Sequence, residues 1–328
     1  MKKVCFLLIF GCVFISQAIA IYPTVHNFSR LQSNAGTQNW DIVQHNNNWM
    51  YFANNQGLLE YDGYYWTTYP IANYTNVRSL YYDETDNRIY AGAFNEFGYY
   101  ERDQRGLLQY YSLIQEIDSS ERNFNEIWHI GKSKGTIFFQ GNKEIFRRNG
   151  DKITKLNFPY KIECAAFVHD ILLVASHEVG VISVNGDLLM PLPGHEQLKN
   201  QTVCAILEWS DKQILFVTAN SGIFIYDGRS ILPFTTDIDQ FLQQNQVFCA
   251  GISGTKLALG TVRNGVVIRD LKNNETTYIN VSSGLQNNTV LSLAFDKQGN
   301  LWLGLDKGID YVMINSPVYN LFDDERLY

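Results

Sequence analysis

Six glycines recur along the chain at Gly57, Gly98, Gly180, Gly222, Gly265 and Gly308, each closing a short turn between two apolar runs. The steps between them are 41, 82, 42, 43 and 43 residues, and the long step is two periods of 41. The copy inside that step carries Lys143 and Glu144 where the glycine is expected. The last copy reads "LSLAFDKQGNLWLGLDKGIDYV" over Leu291–Val312, and others begin at Trp40, Val77, Glu126, Glu163, Val203 and Val247. Seven copies of a unit of 41–43 residues, each with several short strands, are the signature of a β-propeller. The expected fold is therefore all-β: a seven-bladed propeller of four-stranded antiparallel blades over residues 21–316.

A second column agrees with this register. The middle strand of each copy ends at Ala53, Gly92, Gln140, Ala175, Thr218, Gly260 or Gly304, small in six of the seven. Small residues are expected where a tapering blade approaches its neighbour. Unbroken apolar runs such as LWLGL and LALGT have the same origin, because a blade covered on both faces has no reason to alternate. In the last copy the four strands are expected at Val290–Phe295, Leu301–Leu305, Ile309–Ile314 and Pro317–Leu321. Thr24–Ser29 resembles a lone outer strand and competes for that fourth position. Residues 317–328 are thus either the outer strand of the last blade or the start of a continuation.

The first 20 residues read as an export leader. Lys2 and Lys3 precede the apolar stretch Val4–Ile15, and Ala18-Ile19-Ala20 fits cleavage after Ala20. An uncleaved anchor is the competing reading. A periplasmic or secreted location follows, with no membrane span after the leader. Removing the two leader lysines from 26 basic residues leaves 24 against 33 acidic ones. That balance argues against nucleic acid as a partner, since phosphate binding needs a basic surface. Three cysteines follow the leader, Cys164, Cys204 and Cys249, each in a first strand and each followed by alanine. They read as small buried thiols, too far apart in successive blades for a disulfide.

The pattern V-x-S-L-x-x-D-x-x-G-N-L-W-x-G-x-x-x-G from Val290 to Gly308 resembles the two-component-regulator propeller repeat. Ala35–Trp66 and Val77–Tyr100 resemble the opening blades of the exported sensor regions of such regulators, both hybrid histidine kinases and helix-turn-helix types. The resemblance implies a non-catalytic, periplasmic ligand-sensing propeller for a nutrient, commonly a glycan fragment. It also implies neighbouring sensor domains or a second copy of the chain as partners. The alternatives are a propeller enzyme acting on polysaccharide, by lysis or hydrolysis, and a protein-interaction scaffold.

No catalytic motif stands out, and the six histidines lack metal-ligand spacing. Neither a metal nor a cofactor is expected. A binding face is easier to place. In a four-stranded blade with strands A to D, the B–C turns and D–A connections emerge at one end of the ring, and loops on a rigid scaffold carry function. The second copy is expected to have the longest B–C turn, Ala93–Phe97, offering Asn95, Glu96 and Phe97. The same end is expected to present Asn54, Asn55, His177, Asn220 and Arg263, with Arg78 reaching the central opening. Amides and acids bond sugar hydroxyls, and rings cover a sugar's apolar face. The competing role is turn formation for the asparagines and inter-blade packing for Phe97. Trp40, Trp128 and Trp302 lie within strands and are expected in the core.

Overall fold

The computed structural model describes residues 21–316 and 319–321. Residues 1–20, where the export leader is expected, and most of the 317–328 segment lie outside the described residues. Seven antiparallel sheets are arranged with strand order A-B-C-D in each. Blades 1 to 6 begin their A strands at Asn39, Val77, His129, Cys164, Val203 and Val247, and blade 7 begins at Val290.

The core is divided. Seven apolar clusters each join residues of two adjacent blades, from Leu58 with Val77 between blades 1 and 2 round to Phe52 with Trp302 between blades 7 and 1. Every blade is therefore a wedge covered on both faces, which is why the B strands read as unbroken apolar runs. Trp302 is buried in the last of these clusters, as expected.

Blade 7 closes the ring. Its A, B and C strands are Val290–Phe295, Leu301–Leu305 and Ile309–Met313, and the fourth place is taken by Ile21–Phe28 from the chain's start. The pairing runs from Thr24 opposite Met313 to Phe28 opposite Ile309. Tyr319–Leu321 then adds outside that strand, opposite Ile21–Pro23, as a fifth. Asn27 and Gln286 fix the seam by donating to the fully buried carboxylate of Asp310, at 2.8 and 2.7 Å.

Pairing corrects two details of the expected register. In blade 2 the residue opposite Ala93 is Glu96, so Glu96 and not Gly98 stands where five other blades place their turn glycine. Gly98 lies inside the C strand. The B–C turn of blade 2 is only Phe94-Asn95, and Asn95 takes the left-handed conformation, φ 51°, that glycine supplies elsewhere. In blade 5 the residue equivalent to Ala175 and Gly260 is Val217, not Thr218. The physical reason for the small column still holds. A Cβ on Gly92 would lie 2.4 Å from Ile127 of blade 3, and one on Gly304 would lie 2.7 Å from the Asn39 carbonyl of blade 1.

Candidate ligand site at the mouth of the axis

The A strands run antiparallel to the B strands, so the start of each A strand lies beside the B–C turn. At that level the ladder slips by one residue in five blades. The skipped residues are Trp40, Arg78, Cys204, Phe248 and Leu291. In blades 3 and 4 the equivalent residues, Trp128 and Glu163, directly precede the A strand. All seven line one cavity of about 380 Å³. A β-bulge re-aims the side chain it displaces. Here the bulge in five blades, and the chain entering the A strand in the other two, turns one residue per blade into this cavity.

Side chains one step further along the A strands of blades 2, 6 and 7, and the ring residue Cys204 itself, pin this ring. Ser79 Oγ donates to the Ile127 carbonyl at 2.9 Å, and Ser292 Oγ donates to the Asn39 carbonyl at 3.0 Å. The thiol of Cys249 reaches the Val290 carbonyl at 3.8 Å, and that of Cys204 reaches Val247 at 3.4 Å. Each acceptor belongs to the following blade and immediately precedes a ring residue: Trp128, Trp40, Leu291 or Phe248. The cysteines are free and partly buried, as expected of small thiols, and two of them also serve as donors between blades. Burial pushes the Cys164 thiol up to about 12 and raises those of Cys204 and Cys249 as well.

The ring combines aromatic faces with charge. Trp128 and Phe248 are 41% and 39% exposed, and Trp40 lies between them with ring centroids 6.4 and 6.5 Å away. The Trp128 placement corrects the expectation of core tryptophans, whereas Trp40 is half-buried, packed against the cluster of blades 1 and 2 while it also lines the mouth. The Arg78 guanidinium sits 4.1 Å from the Trp40 ring centre and 5.5 Å from that of Trp128, a cation–π arrangement. Its Nε lies 3.3 Å from Glu126 Oε1, and both Nε and Nη1 are buried without a hydrogen bond. Gln140, only 3% exposed, lines the same cavity with Oε1 unpartnered. Burial raises the Glu163 carboxyl above its usual range, and the neighbouring His177 pulls it the other way. His129, one step below Trp128, is pushed down to about 4 by burial.

The nine candidate ligand residues named from the sequence divide by depth. Arg78 alone among them lines the mouth. Asn55 stands behind it, accepting the Trp40 indole N–H at 2.9 Å. Asn95 acts one step further back. Its Oδ1 accepts the backbone N–H groups of Phe124 and Asn125, both at 2.8 Å, and its own N–H donates to the Asn125 carbonyl. This fixes the segment that carries Glu126 to Arg78. Asn54 is fully buried and braces the turn through Gly36, Gln38 and Asn39. Glu96 is buried, accepting from Tyr110 at 3.0 Å and Ser112 at 2.8 Å, and burial raises its carboxyl. Phe97 is fully buried between blades 2 and 3. The placements of Asn54, Glu96 and Phe97 correct their expected exposure: a two-residue turn leaves the flanking side chains inside the wedge. His177, Asn220 and Arg263 lie on the turns of blades 4, 5 and 6, outside the mouth. The sequence alone does not single out Trp128, Gln140, Glu163 and Phe248 as site residues. The signal for three of them is their common offset from the small column.

A second cleft, about 470 Å³, lies at the seam of blades 7 and 1 against Phe28, Tyr61, Trp302 and Tyr311. Its carboxylate, Asp296, is already committed to the backbone N–H groups of Gln298 and Asn300. The axial mouth is the better site because its polar atoms are not committed.

Residues 284–307 match the model of the two component regulator propeller. The chain carries the two-component-regulator propeller repeat. The match falls on blade 7 and the connection leading into it. No curated protein sequence matches the chain. Among solved structures it is similar to the extracellular domain of a Bacteroides thetaiotaomicron protein assigned as a hybrid two component system. The TM-score is 0.70 at 20% identity, covering 90% of this chain and 40% of the other. A second such domain from B. thetaiotaomicron gives 0.67 at 18%, covering 89% and 42%. The chain thus spans about two fifths of those domains' length. A streptogramin B lyase gives 0.70 at 13%, covering 93% and 100%. At these identities the likeness is one of fold. No helix among the described residues is long and apolar enough to cross a membrane.

Proposed function

We propose that this chain is the ligand-recognising propeller of an exported signal-transduction regulator, and that its ligand seats in the axial mouth without being turned over. The single observation behind this reading is the ring itself. One residue per blade reaches one cavity, five of them through a bulge, and the set includes exposed aromatic faces beside an arginine that keeps two buried nitrogen atoms without a hydrogen bond. Rigid aromatic and arginine groups at a preformed concavity are what small-ligand recognition uses. The family repeat in blade 7 and the fold shared with extracellular regulator domains support the signalling role. The ligand is a small nutrient, a glycan fragment being the first class to try. Its binding would change how the propeller meets a neighbouring domain or a second copy. Thermal melting against a panel of oligosaccharides and metabolites tests the site. A hit should lose its stabilisation in Trp128→Ala and Phe248→Ala, and an unchanged shift in both would move recognition away from the axis.

A second reading, chemistry at the mouth, is favoured by the presence of Glu163 and His129 in the same cavity. Product formed from a bound compound, and lost in Glu163→Gln, would replace recognition with turnover.

A further inference from the structure

We infer that the axial mouth selects a carboxylate carried on a hydroxylated ring, with Glu126 acting as a built-in competitor for Arg78. This rests on the mouth being the recognition site.

Arg78 is the fixed positive charge of the ring, in a chain whose formal net charge is −7. Attraction for an anion is therefore local to this residue. A guanidinium offers five N–H donors in a planar fork. In Arg78 the Nε edge faces Glu126, while Nη1 is buried with no acceptor. A buried charged donor left unpaired is costly, and a carboxylate that meets it recovers that cost in two parallel bonds. Glu126 does not supply them. Its Oε1 lies 3.3 Å from Nε without making a hydrogen bond, and its Oε2 is itself buried and unpartnered. The pair is thus incomplete at both ends. It is held that way because the blade 2 turn fixes the backbone of Asn125 through Asn95.

The rest of the cavity specifies the ligand's body. Trp128 and Phe248 present open faces suited to the apolar side of a ring. Gln140 Oε1 is a buried acceptor in need of a donor, which a ring hydroxyl supplies. A hydroxylated ring acid meets all three demands. Sugar acids and hydroxylated aromatic acids share this chemistry.

The test titrates the purified chain with glucuronate and p-hydroxybenzoate, each against its neutral counterpart, glucose and p-hydroxybenzamide, following tryptophan fluorescence. At least one acid should bind about tenfold or more tightly than its neutral partner. The acid that does so identifies the source. Arg78→Gln should abolish the preference and Arg78→Lys should retain part of it. Circular dichroism checks that both variants are folded. Glu126→Gln should tighten acid binding by about threefold or more, since it removes the competing anion. Equal binding of acid and neutral partner, or weaker acid binding in Glu126→Gln, overturns the inference. If a neutral oligosaccharide then binds at the mouth, the recognition role stands without acid selection. If no compound of either kind binds there, both fall.

Discussion

Asn55 Oδ1 accepts the indole N–H of Trp40 at 2.9 Å, and so ties a B–C turn to the ring residue of its own blade. Blade 3 repeats the device, with Asn142 Oδ1 accepting from Trp128 at 3.1 Å. Both asparagines follow the end of the B strand, and both tryptophans stand at the start of the A strand beside it. An indole N–H in a cavity wall needs an acceptor, and the amide provides one while fixing the ring plane. Asn55→Ala should cost about 1 kcal/mol of stability in urea unfolding. It should also increase quenching of tryptophan fluorescence by acrylamide. Unchanged quenching would show that packing against Arg78 alone holds the indole.

Gly304 is set by the neighbouring blade. An added Cβ would lie 2.2 Å from Ser292 Oγ and 2.7 Å from the Asn39 carbonyl, the two atoms that hydrogen-bond across the seam of blades 7 and 1. Gly304→Ala should therefore destabilise by about 1–3 kcal/mol, the usual cost of overpacking. Ala53, at the equivalent position of blade 1, is fully buried, so the demand is local and not a rule of the repeat. A urea midpoint within error of wild type would mean that the blades separate freely at this level.

The blades are legible in the sequence because their cause is periodic: a wedge with two covered faces writes the same apolar run every 41–43 residues. The ring is not, because a bulge leaves no mark of its own in a single copy. Trp40 reads as core since strand residues usually are, and only the slip between Asn39 and Asp41 turns it to the axis. Gly98 is misplaced by spacing for a related reason. Asn95 performs the positive-φ turn in blade 2, so the nearest glycine takes its place in the apparent register. The asparagines of the B–C turns have the chemistry to meet a ligand themselves. Asn55 and Asn95 instead act through Trp40 and Glu126, a relationship that depends on tertiary distance and not on spacing.

Two half-buried groups should set opposed pH dependences. Burial raises the Asp41 carboxyl to about 6, although it accepts from Ile42 and Leu80. The folded state then holds a proton that the unfolded chain has released, so this group's contribution to stability falls as pH rises from about 4 to 6. His129 is lowered to about 4, so the unfolded chain binds the extra proton and stability rises with pH between about 4 and 6.5. Each effect is at most about 3 kcal/mol, and over the shared window they offset. Urea midpoints measured from pH 4 to 7 should show His129→Gln gaining on wild type as pH falls. Asp41→Asn should gain on wild type as pH rises. Parallel profiles for both variants would remove these two groups from the balance.

Ring closure by the chain's start should govern whether the propeller forms at all. Ile21–Phe28 supplies the hydrogen bonds that the C strand Ile309–Met313 would otherwise lack on one side. It also brings Asn27, whose amide donates to Asp310 at 2.8 Å. Asp310 is fully buried, and burial raises its carboxyl against the pull of Asn27 and Gln286. Asn27→Ala leaves that carboxylate short of a donor and should cost about 1–3 kcal/mol. Removing residues 21–28 does more, because it bares a long apolar strand edge, the usual template for association between chains. A chain beginning at Arg30 should melt at lower temperature and elute as higher oligomers. Adding a synthetic peptide of residues 21–29 should restore the elution position of the untruncated chain. A truncation with unchanged elution and an unchanged melting temperature would mean that six complete blades and an open seventh hold the ring without this strand.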